Sequence, residues 1–225
     1  MPDNNTQSYM NKIRIYAVAL AVMLSCSGAF AQTDAFYSEV KGFMADNPGA
    51  YDKIVASYFA GDELSLDDYT MLYYGYSLTK DYKPDYYNRS VDSLIKNLEY
   101  DKAYAVLKED HKNDPTSLQT LFDLMGMAYV LEKSQEGQLY QKHYINLMLA
   151  IIQANGDGLS REGALRVNRV TDEFQILSTY FKASSIVSKE LSEDNIDKVT
   201  IKDSEGNVKD VFFDFSRYMD AITGK

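Results

Sequence analysis

The hydrophobic period of this chain changes once, near Asn155, and that change constrains the fold more than any other feature. Before it, apolar residues recur at helical spacing: Phe36, Val40, Phe43 and Met44 fall at i, i+4, i+7 and i+8. Asn47-Pro48-Gly49 ends that first helix. Ile54, Val55, Tyr58 and Phe59 form a second stripe, stopped by Gly61. Ser65 with Asp68 three residues on is a capping box, opening a helix that bears Tyr69, Leu72, Tyr73 and Tyr76. Pro84 then breaks the pattern, because the residue before proline avoids helical dihedrals. Further helices are predicted at about residues 85–98, 101–111, 116–133 and 135–153. Their short connections imply antiparallel helical hairpins.

After Asn155 the spacing is that of strands. Ala164 to Val170 alternates apolar and polar, and Ile196–Ile201 and Val208–Phe215 flank a turn at 203–207. Between them Thr171-Asp172-Glu173 starts a helix running to about Lys182, with Thr171 as its cap and two acids on the positive end of its dipole. Three short strands and one helix bury little area alone, so they must pack on the helical half. The predicted fold is therefore α+β and mostly helical. A hairpin stack over residues 32–154 is followed by a small antiparallel sheet with one helix over 155–225, packed as one domain. The stack is tetratricopeptide-like. Ala103, Leu107 and Pro115 sit at second-helix offsets, and Phe122-x-x-Met125-Gly126-x-x-Tyr129 has a first-helix rhythm, one residue out of register with them.

The first 31 residues read as a secretory leader. Lys12 and Arg14 precede an apolar run from Ile15 to Leu24, and Ala29-Phe30-Ala31 is a cleavage site. The apolar run is about half of the roughly 20 residues a spanning helix needs, so no transmembrane segment is expected after cleavage. Met10 is the better start, leaving residues 1–9 as overhang. The lone cysteine, Cys26, is read as part of the discarded leader; a lipid anchor through Cys26 is the alternative. Localisation is accordingly periplasmic or extracellular. Taking Lys12, Arg14 and Asp3 away from 23 basic and 33 acidic residues leaves 21 against 32, a charge of −11. Such a surface repels phosphate backbones, which argues against nucleic acid as a partner.

The stretch "NGDGLSREGALRVNRVTDEFQIL", from Asn155 to Leu177, poses the main question of function. A phosphate loop needs Gly-x4-Gly-Lys-Ser/Thr after a strand, and Gly156-Asp157-Gly158 follows a helix with no lysine. A calcium loop fails at its third ligand, and Asp203-x-Glu205-x-Asn207 carries its glycine too early. Both read as turns. The stretch resembles the hallmark of a Bacteroidota family of exported proteins of unknown function. Its pattern is Gly-Asp-Gly-x-Ser, then Ala-aromatic-x-Val, then Asp-Glu-Tyr, with similarity also at Tyr69–Gly75, Tyr82–Pro84 and Val211–Phe215. Leu165 and Phe174 depart from it, and Phe174 lacks the family's hydroxyl. The resemblance implies no activity.

Seven tyrosines, Tyr69, Tyr73, Tyr74, Tyr76, Tyr82, Tyr86 and Tyr87, cluster in this helical half. Tyr69, Leu72, Tyr73 and Tyr76 form a stripe that reads as core with outward hydroxyls, or as a recognition surface. Tyr73, Tyr74, Tyr82 and Tyr86 are the candidate binding residues, and Tyr74, off the stripe, is the one expected at the surface. His111 and His143 lack ligand neighbours, so no metal is expected, nor any cofactor. Asp67-Asp68 and Asp172-Glu173 are explained by helix starts, and no Gly-x-Ser-x-Gly elbow occurs. No catalytic residue is assigned. The function expected is an exported, non-enzymatic binding or scaffold module for an envelope protein or peptide. The alternative is a carboxylate-dependent hydrolase acting on an envelope or glycan substrate.

Overall fold

The computed structural model describes residues 29–84 and 88–224, with side chains from Phe36. The expected leader up to Gly28, with Cys26, lies outside the described residues, as does Tyr86. Among the described residues the elements run α1 (Ala29–Asp46), α2 (Ala50–Ala60), α3 (Leu66–Tyr76), α4 (Ser90–Lys96), α5 (Tyr100–Asn113), α6 (Leu118–Val130) and α7 (Ser134–Asn155). Then follow β1 (Leu165–Arg166), α8 (Val170–Thr179), β2 (Ala183–Leu191), β3 (Ile196–Asp203), β4 (Val208–Asp214) and α9 (Ser216–Thr223). The molecule is α+β and mostly helical. No described helix is long and apolar enough to cross a membrane.

Local chemistry sets the boundaries. Gly61 closes α2 in the left-handed region, at φ 76°. The capping box of Ser65 and Asp68 forms in both directions, with Ser65 N donating to Asp68 Oδ2 at 2.9 Å and Asp68 N to Ser65 Oγ at 3.2 Å. Ser117 caps α6 by accepting from Thr120 N at 3.2 Å. Thr171 is not a cap: α8 starts one residue earlier, after Arg169 in extended backbone.

The sheet is mixed, in the order β1-β4-β3-β2, with β1 parallel to β4 and the other pairs antiparallel. Three strands in an all-antiparallel sheet with one helix were expected; the corrections are β2, which adds a fourth strand, the parallel pairing of β1, and α9, a second helix after β4. Of the alternating stretch Ala164–Val170 only Leu165 and Arg166 pair as strand, and Val167, Asn168 and Arg169 are all buried beyond them. Val199, Ile201, Val211 and Phe213 face the core, which continues through Leu165 and Tyr74 into the helical half. β2 forms an edge. It is blunted by two bulges and by Lys189, a charge pointing inward opposite Val199.

Candidate functional site

The tyrosines meet the stretch from Asn155 to Leu177 inside the molecule. Tyr73 Oη donates to Asp172 Oδ2 at 2.7 Å and accepts from Asn168 N at 2.9 Å. Tyr74 Oη donates to the Arg166 carbonyl at 3.1 Å and accepts from Asn155 Nδ2 at 2.6 Å. Tyr82 Oη donates to the Asn168 carbonyl. The expectation of Tyr74 at the surface is overturned: its exposure is 0%, because its ring is edge-on to Phe36 at 4.7 Å and its hydroxyl is consumed by the chain itself. Tyr73 is equally buried and Tyr82 half-buried. These hydroxyls reach through the core to internal partners, so α3 recognises the β1–α8 segment of its own chain.

Arg169 is the centre of that clasp. Only 1% exposed, its guanidinium pairs with Asp114, lies 3.6 Å from Asp172, and stands over the rings of Tyr76 and Tyr82 at 5.4 and 5.7 Å. Burial pushes the Asp172 carboxyl up to about 6, against the pull of Arg169 and the Tyr73 hydroxyl. A second closed cluster joins α8 to the sheet. Lys189 Nζ bridges Glu173 and Asp197 at 2.8 Å each, and burial raises Glu173 to about 7. Both acids are almost fully enclosed. Each carboxylate pair is thus closed on a cation that links two elements, which gives it a clamping geometry.

The Gly156-Asp157-Gly158 loop folds on itself. Asp157 Oδ1 accepts from Leu159 N at 2.9 Å, Gly158 N donates to the Gly163 carbonyl at 3.0 Å, and Phe212 N donates to the Gly158 carbonyl at 2.8 Å. Gly158, at φ 72°, leaves no room for a side chain: a Cβ would stand 3.1 Å from Leu165. The histidines sit in the helical core, where Tyr69 Oη meets His143 Nδ1 at 2.8 Å and Tyr58 Oη meets His111 Nε2 at 3.3 Å. Burial lowers His111 to about 3 and His143 to about 4, so both are neutral at pH 7.

What faces outward is a different set of residues. α6 and α7 form a hairpin in which Phe122 approaches the Tyr144 ring at 5.9 Å and Tyr129 Oη donates to Gln141 Oε1 at 3.1 Å. Along this seam Phe122, Tyr129 and Val130 of α6 and Ile145 and Leu149 of α7 are each more than 40% exposed. Ile145 and Leu149 follow Gln141, the acceptor of the Tyr129 hydroxyl, at successive turns of α7. Between Gln138 and Gln153 the exposed residues of α7 are Gln138, Gln141, Lys142, Ile145, Leu149 and Gln153, with a single charge. This is an apolar, charge-poor face in an acidic chain. The sequence expectation used Phe122 and Tyr129 only as a repeat signature. The unused signal was the near absence of charge from Leu118 to Val130, where Asp123 stands alone.

The family model for a domain of unknown function, DUF4919, matches residues 39–223. No curated protein and no solved structure matches the chain.

Proposed function

Starting from the fact that the chain belongs to the DUF4919 family of domains of unknown function, we propose that it is an exported, non-enzymatic interaction module whose α6–α7 face receives a partner polypeptide in the cell envelope. The observation that carries this reading is the exposure of Phe122, Ile145 and Leu149 on one charge-poor hairpin. Exposed apolar side chains grouped on one charge-poor hairpin cost solubility, and a binding role is a common reason for them. The hairpin serves as a tetratricopeptide-like unit, presenting side chains from two rigid helices. The leader pattern of Lys12, Arg14 and Ala29-Phe30-Ala31 supports export. The candidate carboxylate pairs are engaged with Arg169 and Lys189, so they lend the hydrolase reading no support.

In-cell photo-crosslinking tests this. A photoreactive phenylalanine analogue is placed at Ile145, and as a control at Val187 on the sheet edge, which is also exposed. A discrete crosslinked polypeptide from position 145 and none from 187 is the expected result. Equal, diffuse labelling from both positions overturns the assignment of the face.

A further inference from the structure

The Glu173–Lys189–Asp197 cluster sets two enclosed carboxyls beside one cation. Glu173 sits in the first turn of α8 and Asp197 on β3, with side chains 0% and 2% exposed, and Lys189 of β2 stands between them. An ammonium has three N–H donors. Three oxygens stand 2.8 Å from Lys189 Nζ: Oε1 and Oε2 of Glu173 and Oδ2 of Asp197. The fourth, Asp197 Oδ1, is buried and has no hydrogen-bond partner among the described residues. The cluster is thus short of one donor and of one positive charge. A buried acceptor without a donor is costly, and two carboxylates sharing one site resist joint ionisation. One proton on the pair makes good both shortages.

The other charges of the elements packed here are directed elsewhere. On α8, Asp172 turns to Tyr73 and Arg169. Glu190 of β2 lies opposite Lys198 of β3, which pairs with Asp210 of β4 at 3.0 Å on the other face of the sheet. Lys209 is directed to Asp203 at 3.6 Å, and Asp214 lies 3.7 Å from Arg166. Arg217 of α9 donates to the Ser77 carbonyl at 3.1 Å. The flanks of Lys189 are apolar, with Nζ 5.4 Å from the centre of the Phe174 ring and 5.7 Å from that of Phe215.

We propose that Glu173 and Asp197 share a single proton, and that its loss loosens residues 188–191 of the β2 edge strand. Two bulges interrupt β2 before Ser188; from there its pairing with residues 197–200 is regular, and Lys189 ties this half to α8. Without the proton, two carboxylates are left on one ammonium, an uncompensated buried charge. The cluster relieves it by admitting water beside Lys189, its one member with appreciable exposure, at 34%. Burial raises the Glu173 carboxyl from an ordinary 4.5 to about 7, against the pull of Lys189. The folded cluster therefore holds its proton more tightly than the unfolded chain does. The stability it contributes is complete below about pH 4.5 and is lost as pH rises through 7. The edge is closed in mild acid and loosened above neutrality. This switch is independent of the α6–α7 reading.

Carboxyl carbon-13 NMR of the protein from about pH 5 to 10 tests the shared proton. Glu173 Cδ and Asp197 Cγ should shift together, with a common midpoint near 7. Lys189→Met should raise that midpoint by roughly 1–3 units, since the one cation is gone. Amide hydrogen exchange reads the switch. Protection of residues 188–191, corrected for intrinsic exchange, should fall by up to about tenfold per pH unit between about pH 5 and 7, then level off. Glu173→Gln, which keeps the shape of the protonated acid and cannot ionise, should abolish that fall. Carboxyl carbons that titrate separately, or that show no transition in this range, overturn the shared proton. A joint titration with protection unchanged along residues 188–191, or a fall that persists in Glu173→Gln, overturns the switch. Should Glu173→Gln fail to fold, the wild-type titration and exchange profiles decide alone.

Discussion

Replacing Arg169 by methionine probes the internal clasp most directly. The side chain is 1% exposed and supplies the cation for Asp114 and Asp172, so its loss leaves two buried carboxylates facing each other without it. Removing one partner of a buried ion pair costs about 3–5 kcal/mol. Loss of the contacts to the Tyr76 and Tyr82 rings adds on the order of 1 kcal/mol. Tyr73 and the Leu118 amide still donate to Asp172, which limits the damage, so about 4 kcal/mol is expected at pH 7. The loss must also depend on pH. Asp172 stands at about 6 in the wild type, and without the guanidinium it rises further. Above pH 6 the native variant then holds a proton that both the native wild type and the unfolded chains have released. Holding that proton limits the cost of the unpaired charge, and the limit disappears as pH rises. The deficit therefore grows from pH 6 to pH 8, by at most about 1.4 kcal/mol per unit. Urea unfolding followed by circular dichroism at pH 6, 7 and 8 reads both effects. A loss below about 1 kcal/mol at pH 7, or a deficit that shrinks as pH rises, refutes the reasoning.

Tyr73→Phe removes a donor to Asp172 and an acceptor for Asn168 N; it should cost about 1–3 kcal/mol in urea titrations, and an effect below 0.5 kcal/mol would mean water replaces the hydroxyl. Acid should weaken the helical core through His143, whose folded value is lowered to about 4. The unfolded chain binds the proton first, so this stability is present above about pH 6.5 and lost as pH falls toward 4, by up to about 1.4 kcal/mol per unit. Glu173, raised to about 7, slopes the opposite way between about 4.5 and 7. The check is therefore the difference between His143→Gln and wild type in urea titrations from pH 7 to 4.5: the wild type should lose stability relative to the variant, and parallel curves contradict the assignment.

Much of the helical half was legible because its causes are local. The capping box at Ser65, the left-handed Gly61 and the stripe Tyr69, Leu72, Tyr73, Tyr76 each act within one or two turns. Asp157 and Asp203 were legible as turn residues for the same reason, and both accept from backbone amides two residues on. β2 was missed because it is exposed along nearly its whole length, so no alternation marks it. Tyr74 was misplaced because a wheel projection counts one buried stripe, whereas α3 is covered on a second side by Phe36 and the β1 segment.

The sequence alone therefore determined the helical character of the first half, several of its caps and stops, the change of architecture near Asn155 and the acidic charge. These follow from near-neighbour sterics, capping and composition, which act before any tertiary contact. Only the tertiary structure decided what the stretch from Asn155 to Leu177 packs against. Asn168, Arg169 and Asp172 close on Tyr73, Asp114 and Tyr82, up to 99 residues away, and no local rule pairs groups across that distance. It decided the outward face as well. Phe122 and Ile145 are apolar residues within ordinary helical patterns, and whether such residues are core or surface depends on what packs over them.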